Sequence, residues 1–356
     1  MRSLQRFSVV VLSFLLSGCG MFGAANAWVK MERTFPSAST VLIHPAPIEA
    51  SDAEFQKQVN AFALMALFSK VVYRQDIPEA QRIGSGCKYL YGSIDTFGMP
   101  TQTDHGWQRL VTDQADAVKP CVDQQGLYYE TYLHTRASEP VDSVVIAIRG
   151  TENYLFAEQM RDWSANFAAA MGSDPVQYRL ARETISPLIK YLVVKYPDSK
   201  IYVTGHSLGG GIAQQIAYTS TAITAAYVFD SSPVTNWFQM NQMDSKPIAQ
   251  KNPLIHRINH VNEFLEAPRL IATRMTTTRL NRADYDFAFQ DMGKVSAHEM
   301  GILACHLAVR MTPGGAEFDF PANYVKTMLQ SPAICPLGKE KVNLPAELVA
   351  AKMALP

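Results

Sequence analysis

The stretch VTGHSLGGG, Val203 to Gly211, limits what this chain can fold into more than any other part of it. An apolar run, KIYVTG, precedes Ser207, and a helical pattern, GGGIAQQIAYTST, follows it. Gly205, His206, Ser207, Leu208 and Gly209 fit G-x-S-x-G in the strand–turn–helix setting that the pattern requires. Such a turn carries its serine on a strained backbone. Side chains two residues before and after the serine would collide with each other or with the sheet, hence the glycines. Downstream, Ile212, Ala213, Ile216 and Ala217 recur at helical spacing, so one face of the helix is predicted to be buried. Its N-terminus directs backbone N–H groups at the serine.

The flanking sequence extends this to a fold class. LYYETYLHT from Leu127 and SVVIAIRG from Ser143 are rich in Val, Ile, Tyr and Thr, and the turn EPVD separates them, so both are predicted strands. ITAAYVFDSS, PLIHRINHVN and YDFAFQD are predicted as further strands. Helices are predicted over Asp52 to about Tyr73, over about Pro175 to Lys195, and in HEMGILACHLAVRM. Pro187 is expected to kink or split the second of these. Residues 84 to 126 lack periodicity and are read as loops with short strands. From Ser143 onward, strand and helix alternate as in an α/β fold with a central, mainly parallel sheet and helices on both faces.

Lys plus Arg equals Asp plus Glu over the 356 residues. That balance gives no electrostatic case for nucleic acid as a partner. Arg2 and Arg6 precede an apolar run from Val9 to Leu16, as in a secretory signal. The tail LSGC ending at Cys19 resembles a bacterial lipobox. This implies lipidation at Cys19, a membrane anchor and, with Gly20 next, an outer-membrane address. Ordinary cleavage after Ala27 is the other reading. Expected boundaries are a signal peptide at 1–18, a tether at 19–50, a catalytic domain at 51–312 and a C-terminal extension at 313–356 packed on it. In an exported chain, Cys87, Cys121, Cys305 and Cys335 suggest disulfides, with the sequence-local pairing expected and buried free thiols as the alternative. No cysteine or histidine spacing suggests a metal site, and no cofactor is expected.

IAIRGT upstream of VTGHSLGG resembles the class 3 lipases, the fungal triacylglycerol lipase type. The resemblance implies an α/β-hydrolase fold and a serine esterase acting on lipid esters, of triacylglycerol lipase or phospholipase A type. It implies Ser207 as nucleophile and an oxyanion site formed by Leu208 and Thr151, with Gly205, His206 and Gly209 as residues of the turn. The segment NYLFAEQMRDWSANFAA is either a lid or a fixed amphipathic helix. The acid is expected at Glu263 in HVNEFLEAP, where the family usually has Asp, with Asp230 in YVFDSSP as the alternative. The base is expected at His298 in SAHEMGIL. His256 and His260 precede Glu263 and break the order serine, acid, histidine, and His306 reads as a packed or solvated histidine. Arg269, Arg274, Arg279 and Arg282 read as a solvated basic loop or as contacts to phosphate headgroups. A lipid acyltransferase and a non-catalytic surface lipoprotein that keeps the fold are the alternative functions.

Overall fold

The computed structural model describes residues 40–43, 53–74, 87, 107–110, 118–135, 140–151, 174–234, 236, 240, 253–275, 282–288, 293–309 and 347–354. By its contacts the chain divides into Met1–Val41 and Leu42–Pro356, and the architecture below is that of the second unit.

The predicted strands form one sheet. Among its members are β1 (Trp107–Arg109), β2 (Cys121–Gln124), β3 (Leu127–Thr135), β4 (Val141–Ile148), β5 (Lys200–His206), β6 (Ile223–Phe229), β7 (Leu254–His260), β8 (Arg282–Ala288) and β9 (Glu347–Ala354). Their spatial order is β9, β8, β7, β6, β5, β4, β3, β1, with β2 also paired to β3. Strands β4 to β8 are parallel. The hairpin β3–β4 and the pair β8–β9 are antiparallel. The mainly parallel sheet expected from the alternation is present, with helices on both of its faces.

Alternation along each strand feeds two cores. Val145 and Ala147 of β4, Tyr202 of β5 and Tyr227 and Phe229 of β6 pack on one face with helices α1 (Ala53–Val71) and α6 (Met300–Val309). Val144, Ile146 and Ile148, Val203, and Ala226 and Val228 pack on the other with α2 (Val176–Lys195) and α3 (Leu208–Thr219). Covering both faces is what allows the strands to be apolar at almost every position. Helix α1 is buried from Val59 to its end, Asn60, Ser69 and Lys70 included. That suits a helix with no polar stripe.

Two elements differ from expectation. Helix α2 runs unbroken through Pro187. Proline removes the N–H that would bond to the carbonyl of Glu183, but Pro187 and Glu183 both lie on the exposed face, where water can solvate that carbonyl. His298 does not open the helix of HEMGILACHLAVRM. It lies between a short helix, α5 (Lys294–Ala297), and α6. Cys87 and Cys121 form the expected disulfide, with their Cα atoms 5.8 Å apart. Cys305 is buried in α6, and Cys335, its expected partner, lies outside the described residues. So do Cys19, the signal peptide, the tether apart from Thr40–Ile43, and the segment 152–173 expected as a lid or a fixed helix.

A buried charge holds the end of α1 to the sheet. Glu130 of β3 is fully buried and accepts hydrogen bonds from Arg109 Nη2 at 2.6 Å and Nε at 3.1 Å. The hydroxyls of Tyr128 and Tyr132 also donate to it. Arg74 Nε, just beyond α1, lies 3.6 Å from Oε1. Burial alone would raise the carboxyl pKa, but Arg109 and Arg74 outweigh it and hold Glu130 below the usual carboxylate range. Substituting Glu130→Gln leaves two buried guanidiniums without their carboxylate. The expected loss is about 3–5 kcal/mol of unfolding free energy, measured by urea denaturation. A loss under about 1 kcal/mol, the surface ion-pair range, would contradict this account.

Candidate active site

The parallel register brings the carboxyl ends of β4 to β7 to one edge of the sheet. Ile148 pairs with Gly205, His206 with Phe229, and Phe229 with Ile258. Ligands of open α/β sheets bind at that edge. Here it gathers Gly150 and Thr151 after β4, Ser207 after β5, Asp230 after β6 and Glu263 after β7.

Ser207 adopts φ 55° and ψ −124°, a backbone region that residues with side chains rarely occupy. The surrounding bonds hold it there. Its N–H donates to Phe229 O at 3.0 Å, and its carbonyl accepts from Gly211 N at 3.1 Å and Ser232 N at 2.9 Å. The glycines allow the close approach: a Cβ on Gly205 would sit 2.5 Å from Gly209 C, and one on Gly209 would sit 2.3 Å from Ile148 O. Gly150 is equally constrained, since its Cβ would lie 2.6 Å from His206 O and 3.2 Å from Ser207 Cβ. The Arg149-Gly150-Thr151 turn therefore lies directly against the serine turn, with Thr151 exposed. Leu208 is the first residue of α3, where the N–H groups lack partners within the helix.

His298 Nδ1 lies 2.8 Å from Glu263 Oε2. Its Nε2 is buried and has no hydrogen-bond partner among the described residues. Three groups fix Glu263. Oε2 also accepts from Leu265 N at 2.8 Å, and Oε1 forms a close ion pair with Arg269. Burial opposes its charge, but Arg269 and His298 outweigh burial and hold its pKa below the usual value. Because the carboxylate can only accept, Nδ1 of His298 carries the proton and a neutral ring presents Nε2 as the acceptor. Burial lowers the pKa of His298, against the opposing pull of Glu263.

Reading Arg269 as solvated or as a headgroup contact is incorrect. It is buried in helix α4 (Glu266–Met275), where it pairs with Glu263 and donates from Nη1 to Ser231 O at 3.2 Å. The side chains of Arg274, Arg279 and Arg282 lie outside the described residues.

The turn histidine has a separate task. Tyr73, two residues past α1, places its hydroxyl 2.7 Å from His206 Nδ1. His206 Nε2 lies 2.7 Å from the carbonyl of His298. A carbonyl only accepts, so Nε2–H donates to it and Nδ1 accepts from Tyr73. Burial, with His298 alongside, pushes the His206 pKa well below the usual imidazole value and keeps this arrangement neutral. Sequence reasoning missed Tyr73, which looks like any aromatic residue at the end of an apolar helix.

Asp230 is fully buried at φ 38°. Its Oδ1 accepts from His260 N at 2.8 Å, and it has no direct bond to His298. One ligand atom each from His206, Asp230 and His298 fall within 4.8 Å of one another. That is ligand-like spacing, but both nitrogens of His206 and Nδ1 of His298 are already in hydrogen bonds, so the donors do not fit a metal ion. His256 stacks on Tyr227 with centroids 4.7 Å apart, and His306 is buried within α6.

The fold and this edge place the chain among the α/β hydrolases that carry a serine on a strand–helix turn. More particularly, the chain belongs to the phospholipase-like family of Tle-like phospholipase domains, whose model matches residues 64–256, more than half of it. Over 107 residues it is 32% identical to the extracellular phospholipase A1 of Serratia liquefaciens, covering 30% of this chain and 29% of that protein. Among solved structures, lipase II of Rhizopus niveus aligns at 13% identity and TM-score 0.40, over 69% of this chain and 83% of that one. The nonglycosylated LIP2 lipase of Yarrowia lipolytica aligns at 16% identity and TM-score 0.34, over 65% and 77%.

The geometry predicts that His298 titrates below the ordinary imidazole value of about 6.5, followed by its ring resonances in NMR. Because burial lowers the folded pKa, the neutral ring persists to more acidic pH. A midpoint above that value would contradict the buried, neutral assignment.

Proposed function

We propose that the chain hydrolyses carboxylic ester bonds of lipids, with Ser207, His298 and Glu263 as its catalytic triad. The observation that carries this reading is the pairing of His298 Nδ1 with the Arg269-held carboxylate of Glu263, which leaves Nε2 as acceptor on the edge where Ser207 sits. Ser207 Oγ attacks the ester carbonyl while His298 Nε2 takes its proton. The imidazolium is stabilised by Glu263 and then protonates the leaving alkoxide. Water, deprotonated by the same nitrogen, hydrolyses the acyl-enzyme. The backbone N–H groups of Leu208 and Thr151 bind the developing oxyanion.

Membership of a phospholipase family, and a relative named as a phospholipase A1, favour phospholipids as the substrate class. Export followed by lipidation at Cys19 would place the enzyme beside that substrate. The name of the relative, an extracellular enzyme, agrees with export.

The experiment is fatty-acid release from phospholipid and triacylglycerol vesicles by wild type and Ser207→Ala. Wild type releases fatty acid. Ser207→Ala loses at least about 10³-fold in kcat with folding retained. Equal rates for the two proteins would reject the serine mechanism, and inactivity of wild type on every lipid ester would reject the substrate class.

A further inference from the structure

Asp230 is a buried carboxyl on the catalytic edge that the proposed triad does not use. It directly follows β6, next to the strand that carries the serine. Its backbone is held at positive φ, and its Oδ1 is committed to the N–H of His260. Oδ2 is buried without a hydrogen-bond partner among the described residues. A ring nitrogen of His298 lies within 4.8 Å of its carboxyl group. Glu263 and Arg269 are close enough to act on its charge, and Arg269 also binds the carbonyl of Ser231, the next residue along the chain.

Charge balance decides what such a group does. The single guanidinium of Arg269 is already paired with Glu263, and a second carboxylate in the same dry space would meet the first across a low dielectric. Burial first, and Glu263 next, push the Asp230 carboxyl well above its ordinary range, against the pull of Arg269 and the His260 N–H. Two acids beside one histidine thus share a single negative charge, which rests on Glu263.

We propose that Asp230 is a reserve acid for His298: a positioning residue that keeps its proton while Glu263 is charged and releases it to solvent when Glu263 is neutral or absent, restoring one carboxylate beside the imidazole. This rests on the reading of Ser207 and His298 as nucleophile and base. Loss of Glu263 leaves the Arg269 cation and the developing imidazolium both facing Asp230, and together they favour its ionised form.

The test is a double-mutant cycle on the rate at which a fluorophosphonate labels Ser207, a readout that does not depend on the lipid chosen. Asp230→Asn can still accept the His260 N–H. In the wild-type background it lowers the rate less than about tenfold, whereas in Glu263→Gln it lowers the rate by a further factor of about a hundred. The same factor in both backgrounds would overturn the proposal. A second readout needs no activity. With carbon-13 in the aspartate carboxyls, wild type at neutral pH shows the infrared carbonyl band of a buried protonated acid, and Glu263→Gln loses it. Absence of the band in wild type, or its persistence in Glu263→Gln, would overturn the proposal, and this comparison decides alone if Asp230→Asn does not fold. Failure of wild type to label at all, with Ser207→Ala as control, would count against the serine mechanism instead.

Discussion

Everything at the carboxyl edge of the parallel strands depends on how closely three backbone segments approach one another. The end of β4, the turn after β5 and the first turn of α3 are packed so tightly that a single methyl group at Gly205 or Gly209 would meet backbone atoms at 2.5 Å or less. That crowding, with the hydrogen bonds to Phe229, Gly211 and Ser232, holds Ser207 in a conformation it would not adopt alone. It also sets the Arg149-Gly150-Thr151 turn against the serine. The sheet register then delivers Asp230 and Glu263 to the same edge, since each follows a neighbouring parallel strand.

Buried charge in this protein is matched by opposite charge at Glu130 and Glu263. Glu130 sits in the interior with Arg109 and Arg74, and Glu263 with Arg269. Each buried carboxylate keeps its charge because a guanidinium faces it and further donors satisfy its oxygens. The first cluster secures the end of α1, from which Tyr73 reaches His206. The second secures the acid that orients His298. His206 links them, because it accepts from Tyr73 and donates to the carbonyl of His298. The histidine of GHSLGG therefore braces the backbone of the second histidine.

Much of this is legible in the sequence, where the pattern that marks an element lies within a few residues. The serine turn declares itself because its glycines stand at fixed positions around the serine, whether the contact that requires each is near in sequence, as for Gly205 against Gly209, or distant, as for Gly209 against Ile148. The strands β4 and β6 declare themselves because burial on both faces demands nearly continuous apolar residues. Glu263 and His298 can be ranked above their competitors from chain order and resemblance, and the structure sets them 2.8 Å apart. What is not legible depends on contacts distant in sequence. Arg269 resembles the other arginines near it, and only the fold turns it inward onto Glu263. Tyr73 lies 133 positions from His206. Pro187 carries the expectation of a break in α2, but whether a proline breaks a helix depends on the surroundings of the orphaned carbonyl, and here Glu183 and Pro187 both lie on the exposed face. The strand β9, which closes the β8 edge, has the alanine-rich composition of a helix, and its pairing partner decides its state.

In the proposed function, one edge of this sheet holds a serine nucleophile, a histidine base and two N–H donors in working order. The most direct measurement is a crystal structure of the protein after reaction with a phosphonate ester that mimics the tetrahedral intermediate. The account predicts a covalent bond from phosphorus to Ser207 Oγ, a phosphoryl oxygen within hydrogen-bond distance of the N–H groups of Leu208 and Thr151, and His298 Nε2 facing the serine oxygen while Nδ1 stays on Glu263. An adduct on another residue, or a phosphoryl oxygen turned away from both donors, would contradict it.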